Sequence, residues 1–512
     1  MRRPLHLAAM NSPRLLVFLL LVAFAAFLFV SSDNKLGAQP ETKTRFLSLQ
    51  DKTKPIRGSQ PPIEASATGL LIKPQFRISE TSTLAGNRNA GSAEAAYNPD
   101  DNEYLVVWES DGLTEVKGVN DIYGQRLSGD TNERIGIGFR ISTLTDGDKH
   151  HGSNRPKVVY NRTAGEYLVV WHGSGLFDSP DKFFEVYGQR LNRTGQKIGT
   201  NFRISYATDL GKVSTSFVRS SSRPDLAWNS TNNEYMVIWT GMGEPEDVVK
   251  MEIYGQRVNP SGELLGKALR ISHTTDQGVN FQSAAPAIAF NSRDNQYLVV
   301  WSGGFKNESQ VEIWGKGLSG TGTAAGPTNE FRISNVSDVG TNRRASAPDV
   351  VYNDTNNEYL VVFQANAVRG AGSENVNEIF GQRLDAATFV KTGANDFRIS
   401  NVVGPDNSSS RPAVSFNTVA KEYLVIWRAR RDAAYEISGQ RVSAAGIETD
   451  GDFQISNVAA VGKDRTVNNA SLVHNPRNGH YLVVWQGNVL ANDAKITEIF
   501  GQQLALSRSP RR

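Results

Sequence analysis

Three arginines occupy matching positions in the sequence, each directly before a proline: Arg155, Arg223 and Arg411. Each stands where a long connection enters a predicted strand. A guanidinium group binds carboxylate and other oxyanions through two parallel hydrogen bonds. We therefore predict a ligand-binding site for an anion or a carboxylate at these three residues. The structural alternative, pairing with neighbouring acids such as Asp225, stays open at this point.

Two further residue sets recur along the chain and allow a chemical or a structural interpretation. Tryptophans end a repeated apolar strand and could stack on sugars, but their place at the end of a buried strand favours a core role. They are Trp108, Trp171, Trp239, Trp301, Trp427 and Trp485. An acid opens each predicted third strand, where a structural ion pair is favoured over a ring of cation ligands. These acids are Asp121, Glu185, Glu252, Glu312, Glu378, Glu436 and Glu498.

Motifs of known enzyme and metal chemistry are absent from the sequence. The S-x-D-x-G-x-x-W turn of sialidases and the HExxH zinc motif do not occur, and no acid/base pair stands out. His150 and His151 lie in a polar loop. The D-x-G turns at Asp209, Asp276 and Asp338 lack the acid density of a calcium loop. We predict no catalytic residues, no metal and no cofactor. The chain has no cysteine, which excludes disulfides and thiolate chemistry.

The elements that carry these residues repeat seven times. The six-residue run EYLVVW and its variants are too short for a helix and too apolar for a strand with one wet face, so they predict strands buried on both faces. The copies lie roughly 60 residues apart, a spacing typical of repeat architectures. They occupy residues 103–108, 166–171, 234–239, 296–301, 358–363, 422–427 and 480–485.

Each unit contains four strand-like pieces. In the second unit these are residues 157–161, 166–171, 186–191 and 202–205, and a tight Asn-rich turn joins the first two. Four short antiparallel strands in seven units predict an all-β fold, a seven-bladed β-propeller. The first FRIS segment, 76–79, has no unit before it, and the last unit has no FRIS after it. We predict that this N-terminal segment supplies the outer strand of the last blade and closes the ring. An alternative phase makes FRIS the innermost strand.

The repeat resembles a family of propeller repeats found in secreted and surface proteins of bacteria. The resemblance rests on the pattern EYLVVW, then (D/E)IYGQR(L/V), then FRIS, and covers residues 70–504. It implies the architecture and no single activity. Two units depart from the pattern, with Lys316 and Gly317 in place of Gln-Arg and with Gln503 in place of Arg.

The N-terminal residues have the layout of an export signal. Arg2, Arg3 and Arg14 precede an apolar run at 15–30, which is followed by polar residues. We predict a signal peptide or an uncleaved membrane anchor at 1–32, a flexible linker at 33–69, the propeller at 70–506 and a basic tail at 507–512. The location is then secreted or extracytoplasmic. The net charge of +3 gives no indication of nucleic-acid binding.

The favoured functional prediction is a non-enzymatic module that binds an unknown protein or glycan through one loop-rich face. Its candidate surface consists of long connections that differ between units, at 109–120, 172–184, 205–223, 364–377 and 457–469. The alternative is a sialidase-like glycan hydrolase with its site at the channel mouth. Two carboxylates ~5–10 Å apart beside the arginines would distinguish the hydrolase from the binding module.

Overall fold

A computed structural model describes most of the chain between residues 63 and 506. The described residues are 63–65, 70–80, 89–111, 119–143, 152–174, 184–207, 220–242, 251–273, 276, 282–304, 310–327, 329–339, 343–366, 376–401, 408–431, 434–458, 465–488 and 496–506. They form seven antiparallel sheets; six run in chain order from the first to the fourth strand, and the seventh takes its outer strands from the N-terminal residues. The fold is the predicted seven-bladed β-propeller, all-β, with four-stranded blades.

The first strands face the axis of the ring, and the second strands pack behind them. The first strands are Ala90–Asn98, Ser153–Asn161, Ser221–Asn229, Ser283–Asn291, Ala345–Asn353, Ser408–Asn417 and Val467–Asn475. The second strands are Glu103–Ser110, Glu166–Gly173, Glu234–Gly241, Gln296–Gly304, Glu358–Ala365, Glu422–Arg431 and His480–Gly487.

The third and fourth strands complete each blade on the outside. The third strands are Asp121–Ser128, Glu185–Asn192, Glu252–Val258, Val311–Ser319, Glu378–Asp385, Ala434–Ser443 and Glu498–Leu506. The fourth are Arg134–Arg140, Lys197–Arg203, Leu264–Arg270, the pair Ala324–Ala325 and Phe331–Arg332, Lys391–Arg398 and Glu448–Gln454. A 3-10 helix at Val336–Val339 follows the fourth blade.

An asparagine at the end of each first strand turns the chain and ties neighbouring blades together. In blade two the Asn161 side-chain oxygen accepts the N–H of Ala164 at 2.9 Å, while its amide donates to Asn233 of blade three at 2.9 Å. Gly165 completes the turn with a φ of +67°. The equivalent asparagines in all seven blades are fully buried. The turn residue predicted from local chemistry therefore also connects the blades.

A glutamate that opens the second strand pairs with the arginine of the third strand. Arg190 donates to both carboxylate oxygens of Glu166 at 3.0 Å, and four other blades repeat the pair. The two blades that lack the arginine also lack the glutamate, because Gln296 accompanies Gly317 and His480 accompanies Gln503. Each departure from the repeat therefore removes both partners of the ion pair and leaves neither charge of the pair without its partner.

The ring is closed by the N-terminal strands, as predicted. Leu70–Ile72 and Phe76–Arg77 both pair with Glu498–Leu506 and form the outer part of blade seven. FRIS is therefore the outermost segment, and the alternative phase is wrong. An additional short strand, Ile63–Ala65, pairs with Leu70–Ile72, inside the range predicted as linker. At the inner edge, Asn475 of blade seven donates to Asn102 of blade one at 3.0 Å.

The predicted N-terminal signal or anchor and the basic tail lie outside the described residues. In the part of the chain that the structure describes, we find no helix of the length and apolarity needed to cross a membrane.

Candidate functional site

Each first strand is interrupted near its start by a β-bulge. The residue at the bulge has left-handed backbone in all seven blades, with φ of 51° at Arg155, 53° at Arg223 and 52° at Arg411. Residues other than glycine rarely adopt this conformation. The other four are Ser92, Ala285, Ala347 and Asn469, with φ between 46° and 52°. The bulges lie on the face where the second-to-third connections emerge, which we call the channel mouth.

A side chain of the preceding blade holds the bulge backbone in place. The N–H of Arg155 donates to the Glu109 carboxylate at 2.6 Å, and that of Arg411 to the Gln364 side-chain oxygen at 2.9 Å. Blades four and five use Thr240 and Ser302 in the same way, each at 3.2 Å. These acceptors directly follow the recurring aromatic residue of the second strand. Sequence reasoning missed them, although an acceptor at that position in successive units was a visible signal.

His172 is the acceptor for Arg223, whose N–H lies 3.4 Å from its Nδ1. The imidazole packs edge-on against Phe184 and is buried. Burial, reinforced by the charges of Arg155 and Arg223, lowers the pKa of His172 to about 3. This histidine is therefore neutral at ordinary pH and adds no charge to the channel mouth.

The three predicted arginines come together at the channel mouth. Burial lowers the pKa of Arg223, and the charges of Arg155 and Arg411 lower it further. Burial lowers the pKa of Arg411 as well, with Arg155 as the second cause. Each guanidinium therefore lies in the positive field of another. Among the described residues no carboxylate is within ion-pair distance of any of the three.

Two residues after the bulge, four of the first strands carry polar residues that form one group, which sequence reasoning missed. We call it the carboxylate belt: Glu94, Lys157, Asp225 and Asp349. The Lys157 Nζ lies 2.6 Å from Glu94 Oε2 and 3.8 Å from Asp225 Oδ1. The side chains of Lys157, Glu94 and Asp225 are 38%, 17% and 16% exposed, so solvent reaches them. These residues differ in type from blade to blade, and no repeat pattern marks them.

The belt carboxylates have different electrostatic surroundings. Burial raises the pKa of Asp349 to about 6, against the opposing effects of the Lys157 charge and of a hydrogen bond from the Val414 N–H. Burial also raises the pKa of Asp225. Burial would lower the pKa of Lys157, but its three acidic neighbours outweigh it and raise that pKa. The belt therefore combines a cation with two aspartates whose pKa values burial raises.

The other predicted residue sets have structural roles. The six recurring tryptophans are at most 5% exposed, and in blade two Trp171 stacks on Tyr187 with ring centroids 6.5 Å apart. The acid of each third strand is buried and binds the FRIS segment. Glu185, for example, accepts from Arg203 at 2.8 Å and from Ser205. No group of three potential metal ligands occurs among the described residues.

The remaining sequence candidates are ordinary turns or fall outside the described part. Asp276 pairs with Arg270 at 2.7 Å, and Asp338 with Arg332 at 2.8 Å. His150, His151 and Asp209 lie outside the described residues, as does much of each loop of the predicted candidate surface.

The solved structures that are similar to this chain include carbohydrate-acting enzymes. No protein-family model and no curated protein matches the sequence. An N-acetylgalactosamine deacetylase from F. plautii is 11% identical with a TM-score of 0.36, over 59% of this chain and 92% of its own. A family-43 endo-arabinanase from Bacillus licheniformis is 14% identical with a TM-score of 0.35, over 57% and 96%. A polysaccharide lyase is 9% identical with a TM-score of 0.49, over 80% and 88%.

These neighbours correct the favoured functional prediction. The neighbours include several family-43 glycoside hydrolases. They contradict the prediction of a non-enzymatic module that binds a protein or glycan, and they agree better with the hydrolase alternative. With identities of 14% and below and TM-scores below 0.5, these neighbours assign no activity to this chain.

Proposed function

We propose that this chain is a glycan hydrolase whose active site is the carboxylate belt below the channel mouth. One observation carries the proposal. Glu94 and Asp225 both contact the Lys157 ammonium, at 2.6 and 3.8 Å. The two contacting oxygens are therefore at most ~6.4 Å apart, which is compatible with the roughly 5–5.5 Å spacing of a retaining carboxyl pair. The charge of Asp349 also acts on Lys157, so the belt groups three carboxyls around one cation. Two such carboxylates beside the arginines are the feature that distinguishes a hydrolase from a binding module.

The belt also contains a suitable acid. Hydrolysis of a glycosidic bond needs a carboxyl that protonates the departing oxygen and a carboxylate that activates water or attacks the anomeric carbon. A carboxyl with a raised pKa suits the first task, and Asp349, whose pKa burial raises to about 6, is assigned to it. Glu94 is assigned to the second task.

Lys157 is a positioning residue in this scheme. Its Nζ holds the Glu94 carboxylate at 2.6 Å, and the hydroxyl of Ser471 donates to the other oxygen of the same group. These two contacts give the Glu94 carboxylate one orientation, as a base or nucleophile requires.

An exported location forms part of the proposal. It is supported by the apolar run at 15–30, the arginines before it and the lack of cysteine. Polysaccharides outside the cytoplasm would then be accessible to the enzyme.

The test is a screen of neutral and acidic polysaccharides for the release of reducing ends by the full chain. Glu94→Gln and Asp349→Asn should each reduce the rate at least ~100-fold, because each removes a proton-transfer group. Asp354→Asn is the matched control, since Asp354 lies on an exposed turn of the same blade. Melting temperatures confirm that the variants fold. Full activity in folded Glu94→Gln, or no cleavage of any polysaccharide, would overturn the proposal.

A further inference from the structure

We propose that Arg155, Arg223 and Arg411 form a subsite that selects an anionic sugar unit, so that the substrate is an acidic glycan. This inference rests on the proposed function, because it specifies the substrate class of the same channel mouth. It rests on how the arginines are held and on the lack, among the described residues, of a carboxylate within ion-pair distance of any of the three.

The backbone of the three arginines is held in a fixed conformation at the bulges. The N–H groups of Arg155, Arg223 and Arg411 are each bound by a side chain of the preceding blade. Left-handed backbone is sterically unfavourable at a residue with a large side chain. Alanine, serine or asparagine fills the same position in the other blades, so the bulge itself does not need arginine.

In the described part of the chain, the three arginines lack the carboxylate partners that the scaffold arginines have. The scaffold arginines have carboxylate partners, as Arg190 has Glu166 at 2.8 Å. Arg411 instead donates to the side-chain oxygens of two neutral residues, Asn468 at 2.9 Å and Asn469. Like charges brought together without anions raise the free energy of the unliganded protein, and a bound anion would recover it.

Glu109, Asp225 and Asp349 already accept hydrogen bonds within the protein. The Glu109 carboxylate accepts the N–H of Arg155 at 2.6 Å and the hydroxyl of Ser92 at 3.0 Å. Asp225 accepts the Ile288 N–H at 3.0 Å, and Asp349 accepts the Val414 N–H at 2.8 Å. The Glu109 charge acts on Arg155, but none of the three arginines has an ion-pair partner in the described part of the chain, and a bound anion would supply one.

The chemistry of the ligand follows from the groups present. Planar guanidinium groups bind a carboxylate or sulfate through paired hydrogen bonds. Arg155 and Arg223 precede the belt residues Lys157 and Asp225 by two residues on the same strands. An acidic sugar held at the channel mouth would thus place a neighbouring glycosidic bond near Asp349 and Glu94.

The experiment compares matched polymers. Polygalacturonate, the same polymer with its carboxyls reduced to alcohols, and dextran sulfate are offered to the full chain. Arg155→Ala, Arg223→Ala and Arg411→Ala should each lower kcat/KM on the acidic polymer roughly 10- to 100-fold, and leave the reduced polymer unaffected. Arg162→Ala is the charge-matched control, because Arg162 is 67% exposed in a turn on the opposite face.

The outcomes separate this inference from the proposed function. Equal cleavage of the native and reduced polymers by all variants overturns the inference and leaves the hydrolase intact. If no polymer is cleaved, binding of oligogalacturonate and dextran sulfate is measured by calorimetry. Binding that the arginine variants lose keeps the anion subsite and removes the hydrolase, and preference between the two probes identifies carboxylate or sulfate. No binding of either probe overturns the inference.

Discussion

Trp171 shows how a residue that could recognise a sugar is used in the core. Its side chain is 0% exposed and packs in one cluster with Tyr187 and residues of blade one. We expect Trp171→Ala to lower the free energy of unfolding by ~3–5 kcal/mol, as large core truncations do. Chemical denaturation measures the loss. Ile137→Ala is the control, since Ile137 is 63% exposed. A stable variant that loses glycan binding would contradict the core role.

Asp349 makes the stability of the protein depend on pH in a defined direction. Burial raises its pKa to about 6 in the folded protein, above its ordinary value of 3.8. The folded state therefore holds this proton more tightly than the unfolded state. The resulting stabilisation is fully present below about pH 4 and is lost as the pH rises through about 6.

Asp349→Asn removes this dependence. Between pH 4 and pH 7 the variant should gain stability relative to the wild type, because the wild type must ionise a half-buried carboxyl whose pKa is raised. Denaturant midpoints at several pH values provide the measurement, with Asp354→Asn as a control for the loss of one charge. A constant difference between Asp349→Asn and the wild type would show that this carboxyl is not buried as described.

The arginines could be predicted from the sequence, whereas the carboxylate belt could not. Arg155, Arg223 and Arg411 share a position before proline and differ from the serine, alanine and asparagine of the other blades. The belt positions hold Glu94, Lys157 and a mixture of other types, so no pattern connects them. Their meeting depends on the bulge, which shifts the strand register between Asn154 and Lys157. A change of register decides which side chains enter the channel, and the sequence contains no direct sign of it.

At the scale of the strand, the bulge should tolerate glycine better than alanine. Ala285 has a φ of 52°, where glycine has no steric penalty. We expect Ala285→Gly to be neutral or to stabilise the protein by up to ~1 kcal/mol. Urea denaturation is the measurement, and Ala289→Gly, in the regular part of the same strand, should destabilise. A clear loss of stability in Ala285→Gly would contradict the left-handed bulge.

The N-terminal strands should behave as a clasp of blade seven. Leu70 and Ile78 are buried, and Ser79 donates to the third-strand acid Glu498. Deletion of residues 1–79 should cost several kcal/mol, because the blade loses its outer strand and exposes an edge. Deletion of residues 1–68 should cost little, since it removes only the short strand Ile63–Ala65 of the described part. Equal melting temperatures of the two deletions would disprove the clasp.

At the scale of the whole molecule, repetition made the fold predictable. Seven copies of a doubly buried strand, each with its turn asparagine, predict both the blades and their number, and the unpaired FRIS segment predicts the closure. The paired losses at Gln296 with Gly317 and at His480 with Gln503 were also visible in the sequence. The function was not, because repetition describes what the blades share, whereas the site consists of residues in which they differ.

The pH–rate profile of polysaccharide hydrolysis tests the central claim most directly, since it reports whether the carboxylate belt performs the chemistry. A general acid must be protonated to act, so the rate should fall as the pH rises above about 6, the pKa of Asp349. Asp349→Asn should lose the activity across the whole range while Asp354→Asn keeps the wild-type profile. A rate that is unchanged through pH 6, or a fully active Asp349→Asn, would contradict the account.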